Sequence, residues 1–266
     1  MGKFTGILLA SDMDDTYLTR GTTVGRGNVQ AIEAFMAEGG LFTVATGRSL
    51  QGFATIEPLT VYNTPCVLFN GSYVYDYKTK QILRETPLTG SYRRDCQAIT
   101  DAFGGQSIEI HTLDTTYVHR PNEINEKHFQ ALQINAMETK SLDDIPNPWL
   151  KALFADEHET LIVIQQHVRQ HYNDKYDCIF SHKYLLELQD KQASKGCQVA
   201  WLAEHLNAHT VYTAGDGEND LSMAERFPFF APSNATQAAK NAATKIFCDV
   251  EEGAITEIIA HIEKIT

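Results

Sequence analysis

The sequence is poor in cysteine, and its few cysteines show no pairing pattern. The 266 residues include five, which are Cys66, Cys96, Cys178, Cys197 and Cys248. Their number is odd and no two stand in a C-x-x-C arrangement, so the chain offers neither a disulfide framework nor a zinc site of the usual spacing. We therefore predict a protein of a reducing, cytoplasmic compartment.

Long apolar runs are also missing. No stretch approaches the roughly 20 residues that an α-helix needs to cross a bilayer, and the N-terminus does not place an apolar region after a basic one as a secretory signal does. Met1-Gly2 resembles the start of a myristoylation signal, but Gly6 stands where that signal needs serine or threonine. These absences predict a protein without a membrane anchor.

Basic residues are scarce relative to acidic ones. Lys and Arg together number 22 against 34 Asp and Glu, which gives a net charge of −12. A protein that binds nucleic acid regardless of sequence needs a basic face to displace counterions, so this balance argues against such a partner. It does not exclude a local basic pocket for phosphate. We expect a small-molecule partner, and a monomer or small homo-oligomer.

The two ends of the sequence alternate strand-like and helix-like segments. Residues 5–11 are short, apolar and bounded by polar residues, as expected of a buried strand. Apolar residues at helical spacing follow at 29–36, and residues 41–45 form the next predicted strand. This β-α-β order predicts parallel strands joined by a right-handed crossover.

The middle of the chain breaks this rhythm. Residues 87–182 mix short strand and helix patterns, as in a small α+β unit, and a strand predicted at 184–188 precedes the return of the α/β pattern. The predicted fold class is therefore α/β, a Rossmann-like parallel-sheet core with an inserted α+β cap domain. Residues 1–86 and 183–266 would form the discontinuous core, and residues 87–182 the cap.

Polar residues follow three of the predicted strands. They are Asp12 and Asp14 after the first strand, Thr46 after the second, and Asp216, Asn219 and Asp220 after a strand at 209–214. Parallel strands carry their carboxyl ends to one edge of the sheet, where open α/β sheets bind ligands. Crowded carboxylates raise one another's pKa unless a cation lies between them, and Mg²⁺ prefers oxygen ligands. The pattern predicts a magnesium-dependent phosphoryl-transfer site with Asp12 as the nucleophile.

Five short motifs occur in an order that is typical of one family. They are Asp12-Met13-Asp14-Asp15-Thr16, Thr46-Gly47-Arg48, Asn70-Gly71, Lys195-Gly196 and Gly215-Asp216-Gly217-Glu218-Asn219-Asp220. In sequence and layout they resemble the haloacid dehalogenase (HAD) superfamily, in particular the Cof-type phosphatases, which carry a large C2-type cap between the second and third motifs. Each motif alone is weak, since D-x-D-x-T is frequent by chance, and only their joint order makes the resemblance specific.

The resemblance implies a role for each residue of these motifs. Asp12 would attack phosphorus and become an aspartyl phosphate, and Asp14 would act as general acid and then general base. The phosphoryl group would be bound by Thr46, Gly47, Lys195 and Asn219. Mg²⁺ would be held by Asp12, the backbone carbonyl of Asp14, and Asp216. Supporting positions would be taken by Arg48, Asn70 and Asp220.

The function that we expect is hydrolysis of small phosphorylated metabolites, sugar phosphates or similar phosphomonoesters, with the cap selecting the substrate. One alternative is a phosphomutase of the same superfamily, which would return the phosphoryl group to a sugar. Another is a weakly active regulatory protein that binds a phosphorylated ligand, since Asp15 stands where glycine is common in the family. His167 and His171 lie four apart on a predicted helix but lack the glutamate of H-E-x-x-H, so we interpret them as a solvated or half-buried helical face.

Overall fold

The computed structural model describes residues 2–132 and 134–266, which fall into two compact units. The larger unit is formed by the described residues up to Glu85 together with Ser194–Thr266, and the smaller unit by Thr86–Ala193. Among the described residues, no helix has both the length and the apolar character needed to cross a membrane.

Strands and helices alternate along most of the chain. The strands are β1 (Ile7–Ser11), β2 (Leu41–Val44), β3 (Cys66–Leu68), β4 (Tyr73–Asp76), β5 (Gln81–Glu85), β6 (Ser107–His111), β7 (Thr116–His119), β8 (Ala136–Thr139), β9 (Lys151–Ala155), β10 (Tyr176–His182), β11 (Leu185–Asp190), β12 (Thr210–Ala214), β13 (Phe229–Pro232) and β14 (Lys245–Phe247). The α-helices are α1 (Asn28–Ala37), α2 (Leu50–Ala54), α3 (Tyr92–Ala102), α4 (Glu123–Leu132), α5 (His158–His171), α6 (Lys195–His205), α7 (Leu221–Ala224), α8 (Gln237–Ala242) and α9 (Ala254–Ile265).

A five-stranded parallel sheet organises the larger unit. Its strand order is β14-β13-β12-β1-β2, and every neighbouring pair is parallel. β1 lies between β12 and β2 and is buried along its whole length, as expected of a parallel strand that helices cover on both faces. The predicted α/β class with a parallel core is confirmed.

A small antiparallel sheet adjoins the end of β2. β3, β4 and β5 form it in that order, which includes the hairpin predicted at residues 72–76 and 81–85. One parallel bridge, between Ala45 and Val67, connects β3 to the chain that follows β2. The loop after β3 is thereby brought beside the loop after β2.

The smaller unit is built on a six-stranded sheet in the order β10-β11-β9-β6-β7-β8. Its pairs are antiparallel except for β7 with β8. An apolar core on one face joins strand residues such as Phe154 to Ile99 of α3 and Ile164 of α5. The mixed sheet and helices agree with the α+β pattern predicted for the middle of the chain.

The structure divides the chain after Ala193, later than the predicted boundary between residues 182 and 183. The strand that we expected to open the second core segment is β11, which pairs with β10 and β9 in the sheet of the smaller unit. The chain leaves that unit only after Ala193. The sequence of an apolar strand does not indicate which of two sheets the strand joins. Here β11 belongs to the sheet of the smaller unit because it pairs antiparallel with β10.

Candidate active site

Three loops meet at the carboxyl edge of the parallel sheet. The backbone N–H of Asp12, the residue after β1, donates to the carbonyl of Ala214 at the end of β12 (2.9 Å). On the other side, the N–H of Ala45 donates to the carbonyl of Ser11 (2.8 Å). The structure therefore brings the predicted strand-end residues to one edge, because β1 is paired in parallel with both neighbours.

A buried lysine lies between two carboxylates at this edge. Nζ of Lys195 donates to Oδ1 of Asp12 and to Oδ1 of Asp220, each at 2.7 Å, and the lysine is fully buried. Burial alone would lower the pKa of Lys195, but the carboxylates of Asp12 and Asp220 outweigh it and raise this pKa above its ordinary value. The lysine is therefore held as a cation against the predicted nucleophile.

Lys195 is the first residue of α6, and the sequence before it fixes that position. The side chain of Ser194 caps the helix by accepting a hydrogen bond from the N–H of Cys197 (3.2 Å). At Gly196, α6 packs directly against α7: a Cβ on this residue would lie 1.9 Å from the carbonyl oxygen of Ser222. Only glycine lets α6 approach α7 closely enough to place the lysine here.

Asp220 closes the loop after β12. Its Oδ2 accepts from the backbone N–H groups of Asp216 and Gly217, both at 2.9 Å. Gly215 makes room for it, since a Cβ there would lie 2.4 Å from Cγ of Asp220. Both carboxylate oxygens of Asp220 are thus engaged, one by the lysine and one by its own loop.

Asp12, Asp216 and Asp220, which we call the acidic cluster, each place a carboxylate oxygen within 4.8 Å of the others. Burial and the neighbouring carboxylates raise the pKa of Asp12 well above its ordinary value, and Lys195 offsets this only in part. Burial, and next Asp220, raise the pKa of Asp216 to about 7, although its Oδ1 accepts a hydrogen bond from Thr16 (2.9 Å). The cluster carries more negative charge than Lys195 can balance, an arrangement that favours a bound cation.

The side chain of Asp14 points to a different partner. It is half exposed and forms a two-point ion pair with Arg48, with Nε to Oδ2 at 2.8 Å and Nη2 to Oδ1 at 2.7 Å. Its carboxylate is not part of the acidic cluster. The carboxylate of Asp14 therefore adds no oxygen to the acidic cluster.

Thr46, Gly47, Asn70 and Asn219 form a second group at the same edge. The N–H of Asn70 donates to the carbonyl of Thr46 (3.0 Å), and the side-chain amide of Asn219 donates to Oδ1 of Asn70 (3.0 Å). Asn70 has a left-handed backbone (φ 56), which asparagine tolerates better than most residues. A Cβ on Gly47 would meet Oδ1 of Asn70 at 3.0 Å, so the amide of Asn70 joins the loop after β2 to the loop after β12.

Asp15 adopts the conformation that explains why glycine suits this position. Its φ is 60, in the left-handed region that glycine enters without cost and that aspartate enters more readily than most other residues. Its carbonyl accepts from the side-chain amide of Asn234 (2.7 Å), whose own Oδ1 accepts from the N–H of Val250 (2.9 Å). The turn thus forms with aspartate in place. Sequence reasoning missed Asn234, which lies outside every recognised motif.

The two histidines of α5 lie where a helical face was predicted. The ring centroids of His167 and His171 are 4.5 Å apart, with His167 half-buried and His171 exposed. Neither belongs to the acidic cluster, the group of carboxylates among the described residues whose spacing would suit a metal ion.

The chain is similar to known proteins over nearly its whole length. The family model for haloacid dehalogenase-like hydrolases matches residues 9–259. A protein of Streptococcus pyogenes that is provisionally named a phosphatase is 26% identical over 227 residues, covering 82% of this chain and 83% of that protein. The pyridoxal phosphate phosphatase of Escherichia coli is 23% identical over 269 residues, covering 95% of this chain and 97% of that protein.

The fold is shared with solved structures. A haloacid dehalogenase-like hydrolase from Bacteroides thetaiotaomicron matches with a TM-score of 0.77 at 22% identity, covering 98% of this chain and 100% of that one. The resemblance based on the five motifs is confirmed. The chain is an enzyme that belongs to the haloacid dehalogenase-like hydrolase family.

Proposed function

We propose that the protein is a magnesium-dependent phosphatase that hydrolyses small phosphorylated metabolites through an aspartyl phosphate on Asp12. One observation carries the proposal: Lys195 holds a single oxygen of a buried Asp12, at 2.7 Å from Oδ1. The other oxygen is left to attack phosphorus, while the lysine keeps the carboxylate in place. The same reaction class is supported by the names of the two relatives, one provisionally named a phosphatase and the other named a pyridoxal phosphate phosphatase.

The acidic cluster fits Mg²⁺ by the chemistry of its donors. Both oxygens of Asp220 are engaged, whereas Asp12 and Asp216 each accept one hydrogen bond on Oδ1, from Lys195 and Thr16, and keep lone pairs for an ion. Asp12, Asp216 and the carbonyl of Asp14 would therefore hold the ion, and Asp220 would hold the loop. Bound there, Mg²⁺ would neutralise negative charge on the phosphoryl oxygens.

In the first half of the reaction, the Asp12 carboxylate forms a bond to phosphorus and the bond from phosphorus to the leaving oxygen breaks. Asp14, as the acid, gives its proton to that oxygen, which leaves as an alcohol. In the second half, the Asp14 carboxylate takes a proton from water, whose oxygen attacks phosphorus. The bond between phosphorus and Asp12 breaks, inorganic phosphate is released, and the carboxylate of Asp12 is regenerated.

The phosphoryl oxygens would be held by Thr46, the N–H of Gly47, Lys195 and Asn219. The hydroxyl oxygen of Thr46 accepts a hydrogen bond from the N–H of Arg48 (3.1 Å). Its own hydrogen can therefore be donated to a phosphoryl oxygen. Donors fixed in this way stabilise charge on the transferring group without having to reorganise.

For substrates, we propose sugar phosphates or similar phosphomonoesters in the cytoplasm. None of the five cysteines, all of which the structure describes, forms a disulfide, and Cys66, Cys96 and Cys178 are buried, which suits a reducing compartment. The Escherichia coli relative is named for pyridoxal phosphate, so a phosphorylated aromatic metabolite belongs in the same test.

The test is a panel of phosphorylated metabolites assayed for release of inorganic phosphate, with Mg²⁺ and with a chelator. We expect at least one phosphomonoester to be hydrolysed only when Mg²⁺ is present. Asp12→Asn should lower that rate by about 10³-fold or more. Asp174→Asn, a change at an exposed residue, serves as the matched control. Equal slow hydrolysis by wild type and Asp12→Asn, or turnover that needs an added bisphosphate, would contradict the proposal.

A further inference from the structure

The guanidinium group of Arg48 binds both oxygens of the Asp14 carboxylate at once. Nε lies 2.8 Å from Oδ2, and Nη2 lies 2.7 Å from Oδ1. Two parallel hydrogen bonds of this kind fix the rotation of a carboxylate as well as its position. A single contact, such as a lysine would make, fixes only the position.

Arg48 is itself held by its backbone on both sides. Its N–H donates to the hydroxyl of Thr46 (3.1 Å), and its carbonyl accepts from the N–H of Phe69 (2.9 Å). The following residue, Ser49, caps α2 by accepting from the N–H of Gly52 (3.1 Å). The arginine therefore projects from a fixed loop onto a carboxylate that belongs to another loop.

The exposure of the pair argues against a role in stability. The side chains of Arg48 and Asp14 are 30% and 50% exposed. Ion pairs this accessible contribute little to folding because solvent screens them. Since the pair adds little to stability, its two-point geometry is better explained by the orientation that it gives to Asp14.

We propose that Arg48 is a positioning residue, which holds the Asp14 carboxyl group in the orientation for proton transfer to and from the reacting oxygens. The inference rests on the proposed phosphatase function. Arg48 itself exchanges no proton, because a guanidinium group stays protonated in proteins. When Asp14 gives its proton to the leaving oxygen, the carboxylate that results lies against a fixed positive charge, which favours the step.

Leaving-group dependence tests this role directly. An aryl phosphate such as p-nitrophenyl phosphate releases its phenolate without a proton, whereas an alkyl phosphate such as glycerol phosphate needs one. For Arg48→Met we expect kcat/KM to fall by about 10²-fold on the alkyl ester and by less than about fivefold on the aryl ester. Arg48→Lys should lie between wild type and Arg48→Met on the alkyl ester, because one contact replaces two.

The control is Arg26→Met, a change at an exposed arginine of the larger unit. It should leave both rates unchanged. We expect the Tm of Arg48→Met to stay within about 3 °C of wild type, so that a rate loss cannot be ascribed to unfolding. Equal losses on the two esters, or a loss confined to KM, would overturn the inference and leave the phosphatase function standing.

A double-mutant cycle separates action through Asp14 from direct binding of substrate. If Arg48 acts through Asp14, then adding Arg48→Met to Asp14→Asn should change kcat/KM by less than about twofold. Multiplying effects would show that Arg48 contacts the substrate independently, and would overturn the inference. A wild type that hydrolyses neither ester would overturn the phosphatase function, and the positioning role with it.

Discussion

Each of the two units buries charged side chains at a sheet, but the balance of charge differs between them. In the larger unit, the acidic cluster has three carboxylates and one buried cation, Lys195, which contacts Asp12 and Asp220. In the smaller unit, each buried carboxylate has its own partners, because Glu187 pairs with Lys151 at 2.9 Å and Glu109 with His128 at 2.9 Å. The first group has three carboxylates and one cation, whereas each of these two carboxylates of the second has a basic or imidazole partner of its own.

The direction of each pKa shift depends on whether neighbouring groups add to the effect of burial or offset it. Burial raises the pKa of Asp216 to about 7, and Asp220 adds to the shift. Burial would raise the pKa of Glu109 too, but His111 and His128 outweigh it and lower this pKa to about 2. The same desolvation thus ends in opposite shifts, which teaches that a surplus of carboxylates, and not burial itself, marks the site that is suited to a cation.

The largest effect is expected from Lys195→Met, which makes the imbalance of the acidic cluster worse. Removing the cation leaves Asp12 and Asp220 buried without their partner, so the free energy of unfolding should fall by about 3–5 kcal/mol. Phosphate release should fall by about 10³-fold or more in the protein that remains folded. Urea unfolding and the phosphate assay measure the two effects. Lys264→Met, at an exposed lysine of α9, is the control. A Lys195→Met enzyme as stable and active as wild type would contradict the charge imbalance that we describe for the acidic cluster.

The matched pair of the smaller unit gives the next effect. Lys151→Met leaves Glu187 buried without this cation, and we expect the free energy of unfolding to fall by about 3 kcal/mol. Changing both partners, Lys151→Met with Glu187→Leu, should recover part of the loss, because two apolar side chains leave no charge to desolvate. Urea unfolding measures both variants. If the double variant is less stable than Lys151→Met, the loss in Lys151→Met does not come from the unpaired charge of Glu187.

The sequence predicted the strand ends better than the contacts between them. Asp12, Thr46 and Asp216 each follow an apolar run, so the parallel sheet alone predicts their common edge. That Asp220 would bind both Lys195 and its own loop depends on packing between α6 and the loop after β12, which no local pattern encodes. Glu109, with its partners on β6 and α4, carried no motif at all, because its partners come from tertiary structure.

The acid sensitivity of Glu109 sharpens the comparison further. Its pKa is lowered from the ordinary 4.5 to about 2 on folding, so its contribution to stability is present above pH 4.5 and is lost as the pH falls toward 2. The full contribution is about 3 kcal/mol. Burial also lowers the pKa of His111, which adds to acid sensitivity below its ordinary value of 6.5. Glu109→Gln should flatten the fall in unfolding free energy between pH 5 and 3, as followed by urea titrations at each pH.

The smallest effect is expected at Asp15, the residue that raised the possibility of a regulatory protein. Asp15 already has the left-handed backbone of the turn, and Asn234 holds its carbonyl. Asp15→Gly removes a modest strain but adds freedom to the unfolded chain, so the two effects on the free energy of unfolding should nearly cancel, within about 1 kcal/mol.

Asp15→Asn keeps the backbone preference and removes one negative charge beside the acidic cluster, which already has a surplus of carboxylates. If Asp15 suppresses activity through its charge, Asp15→Asn and Asp15→Gly should both raise kcat. If it acts through the turn, only Asp15→Gly should do so. We expect neither to change kcat by more than about threefold, because the turn and the acidic cluster form with aspartate in place.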